Sequence, residues 1–273
     1  MQSELVEICS SKFNVYSRII PEAEVASFTR REECPACGAT EAAVPAVQIG
    51  AIDWTSSISV DVCGDCGHVY YDNPPPQEVM NDYYRSEWMK DQDSAKTLDD
   101  YSVKPMDKIA RLFASMNISD KNVRILDVGC GAGTKLLGLK EAGYTDLSGC
   151  EMSDQRVEIT SRYFPGKIYN VGYSGVPKDN KFYIIYSSHV VEHMYNPRDF
   201  FSWAAAALED DGFIVISLPN AEKEPVFQQV LFLPHLHSFS PLSLHRLGET
   251  HGFQSTFWQG ANQAEIMCVF TRN

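Results

Sequence analysis

Positive charge is what the chain is short of. Its 273 residues carry 23 Lys and Arg against 36 Asp and Glu, a formal net charge of −13. So acidic a chain repels a phosphate backbone, which argues against a nucleic-acid partner. Long apolar runs are missing too, and no stretch approaches the ~18 residues that a membrane span needs. Residues 1–10 carry Glu4 and Glu7 and lack both a basic start and an apolar segment. No secretory signal is read there, and a cytoplasmic location is expected. No Gly-rich stretch ends in the Lys of a phosphate-binding loop, so NTP binding has no support. At 44% apolar and 22% charged residues, the composition is that of a folded chain.

Cysteine is plentiful but is not spread as in a disulfide framework. Eight occur, at 9, 34, 37, 63, 66, 130, 150 and 268. Cys34-Pro35-Ala36-Cys37-Gly38 and Cys63-Gly64-Asp65-Cys66-Gly67 are two C-x-x-C knuckles. The Gly after each pair permits the positive φ that folds backbone amides toward the sulfurs. Two knuckles supply four thiolates, the donor set of a closed tetrahedral Zn2+ site, with a rubredoxin-like iron or a redox dithiol as the alternatives. A closed shell leaves no position for water, so such a zinc is structural. The Val- and Ile-rich stretch 44–62 reads as a hairpin joining the knuckles, which makes a zinc ribbon. His68, beside a set already complete, is expected at the surface. Residues 1–76 hold 11 acids and four bases, again unsuited to nucleic acid. Docking onto the rest of the chain, or capping its substrate side, is the expected use. The stiff Asn73-Pro74-Pro75-Pro76 is taken as the boundary between this module, 1–76, and a second domain, 77–273.

After the boundary, Val79, Met80, Tyr83, Tyr84 and Trp88 form one helical stripe, read as core or as an aromatic lid. Met106, Ile109, Ala110, Phe113 and Met116 form another. From 123 onward strand and helix alternate. Strands are expected at 123–128, 147–151, 167–170, 182–187 and 212–218. Helices are expected at 135–142, from Ser153 or Asp154 to about 163, and at 198–208. This rhythm implies an α/β fold with a mostly parallel sheet covered by helices on both faces. Ligands of such sheets bind beyond the carboxyl ends of the strands, at the switch point.

There the chain reads Asp127-Val128-Gly129-Cys130-Gly131-Ala132-Gly133-Thr134. A dinucleotide fingerprint would want its third small residue at 134, which is Thr. The D-x-G-x-G-x-G pattern, with Glu151 ending the next strand, resembles the class I S-adenosylmethionine-dependent methyltransferases of the small-molecule type. The resemblance implies a Rossmann-like, seven-stranded sheet. It implies that Gly129, Cys130, Gly131 and Gly133 lay bare backbone against the cofactor's methionine part. Asp127 would reach its amino group and Glu151 the ribose hydroxyls. Carboxylates suit both tasks because each accepts two hydrogen bonds at once. Adenine would lie near Met152 and residues 171–173, with Asn170 or backbone taking its amino group.

Residues 186–194, Tyr-Ser-Ser-His-Val-Val-Glu-His-Met, resemble the strand-four motif of that family, whose edge faces the transferable methyl. His189 is thus both a cofactor-side residue and a catalytic candidate. His235 and His237 are candidates for the general base, because an imidazole titrates near neutral pH. Glu192 and His193 are read as holding local backbone, and no metal is expected in this domain, since methyl transfer needs none. Residues 226–233 read as a core helix or an apolar acceptor wall. A zinc-binding front module on such a domain resembles the deoxysugar C-methyltransferases of antibiotic pathways, whose long C-terminal domain these residues lack. Their pattern has a Glu before the His at 235, where this chain has Pro234. The expected activity is methyl transfer to a small-molecule acceptor: a sugar, a nucleotide-linked sugar or another biosynthetic intermediate. The rivals are an RNA- or protein-directed methyltransferase that uses the ribbon for recognition, and a non-catalytic cofactor-binding scaffold.

Overall fold

The computed structural model describes residues 28–40, 43–49, 58–87, 108–223, 234–258 and 264–273. Strands β4 (Ile125–Val128), β5 (Leu147–Cys150), β6 (Ile168–Tyr169), β7 (Phe182–Ser188), β8 (Leu208–Pro219), β10 (Phe253–Phe257) and β11 (Glu265–Arg272) form one seven-stranded sheet in the order β10-β11-β8-β7-β4-β5-β6. From β6 to β8 all neighbours are parallel, and β11 and β10 run antiparallel at the far edge. This is the expected α/β architecture. The strands lie where they were read, to within a residue or two, except that β8 begins at Leu208 rather than 212.

Alternation, interrupted by an irregularity between Phe182 and Ile184, sorts the side chains of β7 onto two faces. Ile184 and Tyr186 join one core with Ile109, Leu112 and Phe113 of α2 (Lys108–Ser115) and Leu136 and Leu139 of α3 (Thr134–Glu141). Phe182 and Ile185 join the other, with Phe200, Phe201 and Trp203 of α5 (Pro197–Ala207) and Leu244 and Leu247 of α6 (Pro241–Glu249). Both late helices start where their sequence dictates. Asn196 caps α5 by accepting from the Arg198 amide, and Ser240 with Ser243 forms a capping box on α6. Pro follows each cap, at the position where its missing N–H costs nothing. Helix α4 (Asp154–Ser161) follows β5, with Ser153 at its N-cap.

The second sheet has the order β1-β2-β3-β9. Strands β1 (Ala43–Ile49) and β2 (Ile58–Cys63) are antiparallel, as the expected hairpin requires, and β3 is Val69–Tyr71. Its last strand, β9 (His237–Ser238), comes from the other end of the chain: Val69 pairs with Ser238 and Tyr70 with His237. Arg31 crosses the same seam, donating to the carbonyls of Tyr71 at 3.0 Å and Tyr195 at 2.6 Å. Glu33 pairs with Arg198 of α5 at 2.5 Å.

Two histidines fill the seam, and each corrects an expectation. His68 is fully buried rather than exposed. Its ring stacks on His237, centroids 5.2 Å apart, with Nε2 3.1 Å from His237 Nδ1. His237 is equally buried, and its Nε2 lies 2.8 Å from the Met194 carbonyl. Both of its nitrogens are engaged and its faces are covered, so it is a packing residue and not a base. Burial holds both imidazoles neutral, pushing His68 down to about 3 and His237 well below its ordinary value.

Helix α1 (Gln77–Asp82) runs into a π turn over Tyr83–Glu87, with Met80 and Tyr83 buried. Trp88, Met106 and the 226–233 block lie outside the described residues. Among the described residues no helix is long and apolar enough to cross a membrane. Replacing the ring at the centre of the seam opens a cavity and strands the Met194 carbonyl. His237→Ala is therefore expected to lower unfolding free energy by about 2–4 kcal/mol. Leu242→Ala, at a half-exposed site, should stay within about 0.5 kcal/mol; urea unfolding of both measures the contrast.

Candidate active site

The site is built at the carboxyl end of β4, where β5 leaves on one side and β7 on the other. Chain order reverses between those neighbours, and the diverging loops open a crevice. Asp127, next to last in β4, is buried at its floor. The turn that follows is left-handed at Gly129 (φ 70°), Gly131 (φ 55°) and Gly133 (φ 84°). A Cβ on Gly129 would meet Val190 Cγ2 at 2.4 Å, so backbone and side chain there touch directly.

Glu151 holds this turn. Its Oε2 accepts from the Gly131 amide at 2.9 Å, and its Oε1 accepts from the amides of Met152 and Ser153, each at 2.9 Å. The carboxylate thus links the Gly turn to the first turn of α4, whose exposed amides favour a negative charge. Thr160 of α4 returns a bond of 2.8 Å to the Gly131 carbonyl. Cys130 is buried with its thiol pushed well up by desolvation, an inert lining residue. Met152 is half-buried, with Sδ 3.6 Å from where a Cβ on Gly172 would stand. Asn170 is exposed and donates to Asp154 at 2.7 Å. Met152 and the 171–173 loop are therefore adjacent.

The next strand supplies a second group. His189, just past β7, takes a left-handed conformation (φ 54°), and its amide donates to the Ser217 carbonyl at 2.8 Å. Its Nδ1 stands 3.4 Å from Glu192 Oε1 and its Nε2 3.7 Å from Glu265 Oε1. The neighbouring carboxylates, Glu192 first and then Glu265, raise it to about 10. The pairing favours its protonated form, in which the ring faces both carboxylates as a donor. A 3-10 turn, Val191–His193, brings Glu192 and His193 beside His235. His193 and His235 rings lie 4.7 Å apart, and Tyr84 meets His193 edge-on at 5.9 Å. Glu192 is buried; desolvation opposes its charge, but the His189 contact and the neighbouring imidazoles hold it below its ordinary value.

Residues 98–256, more than half of the chain, match the family model described as "Methyltransferase domain". The chain belongs to the methyltransferase-domain family. No curated protein matches it. Among solved structures it is similar to magnesium protoporphyrin IX methyltransferase from Synechocystis PCC 6803 with bound SAH, at 13% identity and TM-score 0.54, covering 72% of this chain and all (100%) of that one. It is also similar to the plantazolicin methyltransferase BpumL in complex with SAH, at 15% identity and TM-score 0.53, covering 71% and 94%. These likenesses concern the fold.

In this methyltransferase the structure brings Asp127, the Gly turn, Glu151 and Met152 to one crevice, and His189 and His235 to its β7 side. His237 is excluded. Glu265 of β11, which also accepts from the Ser217 hydroxyl, was not found from sequence. It lies in an edge strand far along the chain, and no local pattern marks it. The four knuckle cysteines converge apart from the crevice, with all sulfurs within 4.8 Å of one another. Cys34 and Cys66 sulfurs are 3.8 Å apart, and Cys37 and Cys63 sulfurs 3.6 Å. A tetrahedron with metal–sulfur bonds of about 2.3 Å needs sulfurs ~3.8 Å apart, so the donor set fits zinc. Gly129→Ala is expected to destabilise by about 1–3 kcal/mol through positive φ and the clash with Val190. Adding Val190→Ala should restore the steric part alone, a non-additivity that a double-mutant cycle of unfolding energies reads.

Proposed function

We propose that this methyltransferase takes its methyl group from S-adenosylmethionine and delivers it to a small-molecule acceptor, such as a sugar hydroxyl. The observation that carries this reading is the paired arrangement of Asp127 and Glu151 around a left-handed Gly turn at the switch point. Left-handed glycines leave main-chain atoms uncovered, and the two carboxylates match an ammonium and a vicinal diol. Glu151 spends three of its roughly four lone-pair directions on amides, so one ribose hydroxyl finds a free position and the second would displace one of these amides. The carboxylate therefore sits where the turn puts it and does not need to search for the ligand. The acidic net charge of −13 supports a small molecule over RNA.

S-adenosylmethionine supplies an activated sulfonium methyl, so the protein's task is to align the acceptor and remove its proton. Alignment contributes up to roughly 7–11 kcal/mol in favourable cases. The His189, Glu192, His193 and His235 group lies on the β7 side of the crevice, joined to the Gly turn through Val190. It supplies the polar contacts and the route for the proton. The four-cysteine cluster holds a structural Zn2+ in this reading, which supports the ribbon and takes no part in the transfer.

Asp127→Asn and Glu151→Gln should each weaken S-adenosylmethionine binding about 10- to 100-fold, since a charge-assisted hydrogen bond contributes ~1.5–3 kcal/mol. Calorimetry on the two variants measures this, and affinities equal to wild type in both would remove the cofactor assignment. Cys34→Ser with Cys63→Ser should lower the thermal midpoint by several degrees. The double variant should also lose the intense sulfur-to-metal charge-transfer band that Co2+ shows when it replaces zinc among four thiolates. A protein that acquires no such band in the wild type is not a zinc ribbon.

A further inference from the structure

We propose that Glu192, His193 and His235 form a second metal site, for a divalent cation of the zinc class, with positions left open for an oxygen of the methyl acceptor. This rests on the methyltransferase reading and adds to it the means by which the acceptor is activated. It reverses the expectation, read from sequence, that this domain uses no metal.

The three residues each offer one ligand atom, and these atoms lie within 4.8 Å of one another. Two imidazoles and one carboxylate are the donors of open, catalytic zinc sites, and imidazole nitrogen selects transition-metal ions over Mg2+ and Ca2+. The orientation of His193 fits a ligand. Its Nδ1 lies 2.8 Å from the Pro234 carbonyl, which can only accept, so that nitrogen carries the proton and Nε2 keeps its lone pair. A metal-binding histidine is commonly fixed in this way through its other nitrogen.

Glu192 supplies an independent observation. It is 1% exposed, and neither carboxylate oxygen accepts a well-formed hydrogen bond from a described residue. His189 reaches it only as an ion-pair contact at 3.4 Å. A buried carboxylate is stable when its charge is matched by hydrogen bonds or by a cation. Here His189 meets the charge from one side, and a cation among Glu192, His193 and His235 would complete the match.

Rigid elements present the ligands. Glu192 and His193 lie on the 3-10 turn after β7. His235 lies two residues before β9, which is tied to β3. The site begins two residues after Val190, the side chain against Gly129, so a bound ion would face the cofactor crevice. Three protein ligands leave coordination positions free. An acceptor hydroxyl at such a position loses its proton to water more readily. The oxygen–carbon bond then forms as the sulfur–carbon bond of S-adenosylmethionine breaks, and S-adenosylhomocysteine departs. The acceptor class is accordingly an oxygen nucleophile, a hydroxyl-bearing small molecule.

The test uses full-length protein with its four-cysteine cluster loaded with Zn2+, freed of excess metal and titrated with Co2+ under visible absorption. The expected result is one equivalent of Co2+ with weak ligand-field bands and no thiolate charge-transfer band. Co2+ affinity should fall at least tenfold in His235→Ala and in Glu192→Gln, while S-adenosylhomocysteine affinity by calorimetry stays within twofold of wild type and so reports a folded crevice. A wild-type protein that binds S-adenosylhomocysteine but takes up no Co2+ outside the cysteines overturns the metal site and leaves the methyltransferase reading intact. Equal Co2+ affinity in His235→Ala overturns it as well. Uptake of Co2+ without any binding of S-adenosylhomocysteine instead defeats the cofactor reading, and with it the ion's part in methyl transfer.

Discussion

One carboxylate governs the geometry of the crevice. Glu151 shares its two oxygens among the amides of Gly131, Met152 and Ser153. It thereby joins the left-handed turn after β4 to the start of α4. Charge-assisted bonds to three amides are strong enough to hold a turn that ordinary residues would avoid. Once the turn is held, Gly129 stands against Val190 without space for a Cβ between them. The turn that carries Glu192 and His193 begins at the next residue. The Gly turn and the turn that carries Glu192 and His193 are thus packed directly against each other.

The four-stranded sheet joins the same unit. Its third strand pairs with His237 and Ser238, and the buried His68–His237 stack fills the joint. Arg31 adds two bonds to carbonyls on either side of the seam, although burial costs its guanidinium solvation and lowers it to about 10. The segment so anchored carries His235 two residues earlier. In the proposed reading, a metal held by the four thiolates would influence the transfer from a distance, by fixing the segment that carries His235.

Much of this was legible in the sequence because it is local. The Val- and Ile-rich stretch 44–62 between two C-x-x-C knuckles predicts a hairpin, and β1 and β2 pair as one. Pro197 marks the start of α5, whereas α6 behind Pro241 was not read. The periodic apolar segments of the parallel strands are short and well punctuated, so their ends were read closely. The Gly spacing separated this turn from dinucleotide and P-loop turns, because each demands its own residue at a fixed offset.

What only the tertiary structure decided concerns histidines and partners distant in the chain. Seven histidines look alike in a sequence, since nothing local says whether a ring is buried, paired or open. Strand β9 packs His237 against His68, 169 residues away, and makes it a structural residue. Glu265 reaches His189 from the edge strand β11 and helps to keep it charged. Glu192, read as a backbone support, is buried beside two imidazoles that come from different loops. The sequence by itself determined the α/β fold, the four-sulfur cluster and the Gly turn with its two acids, because period, spacing and turn chemistry act over a few residues. Folding alone decided which histidines face the crevice, because burial and charge pairing depend on neighbours that only the packed sheet brings together.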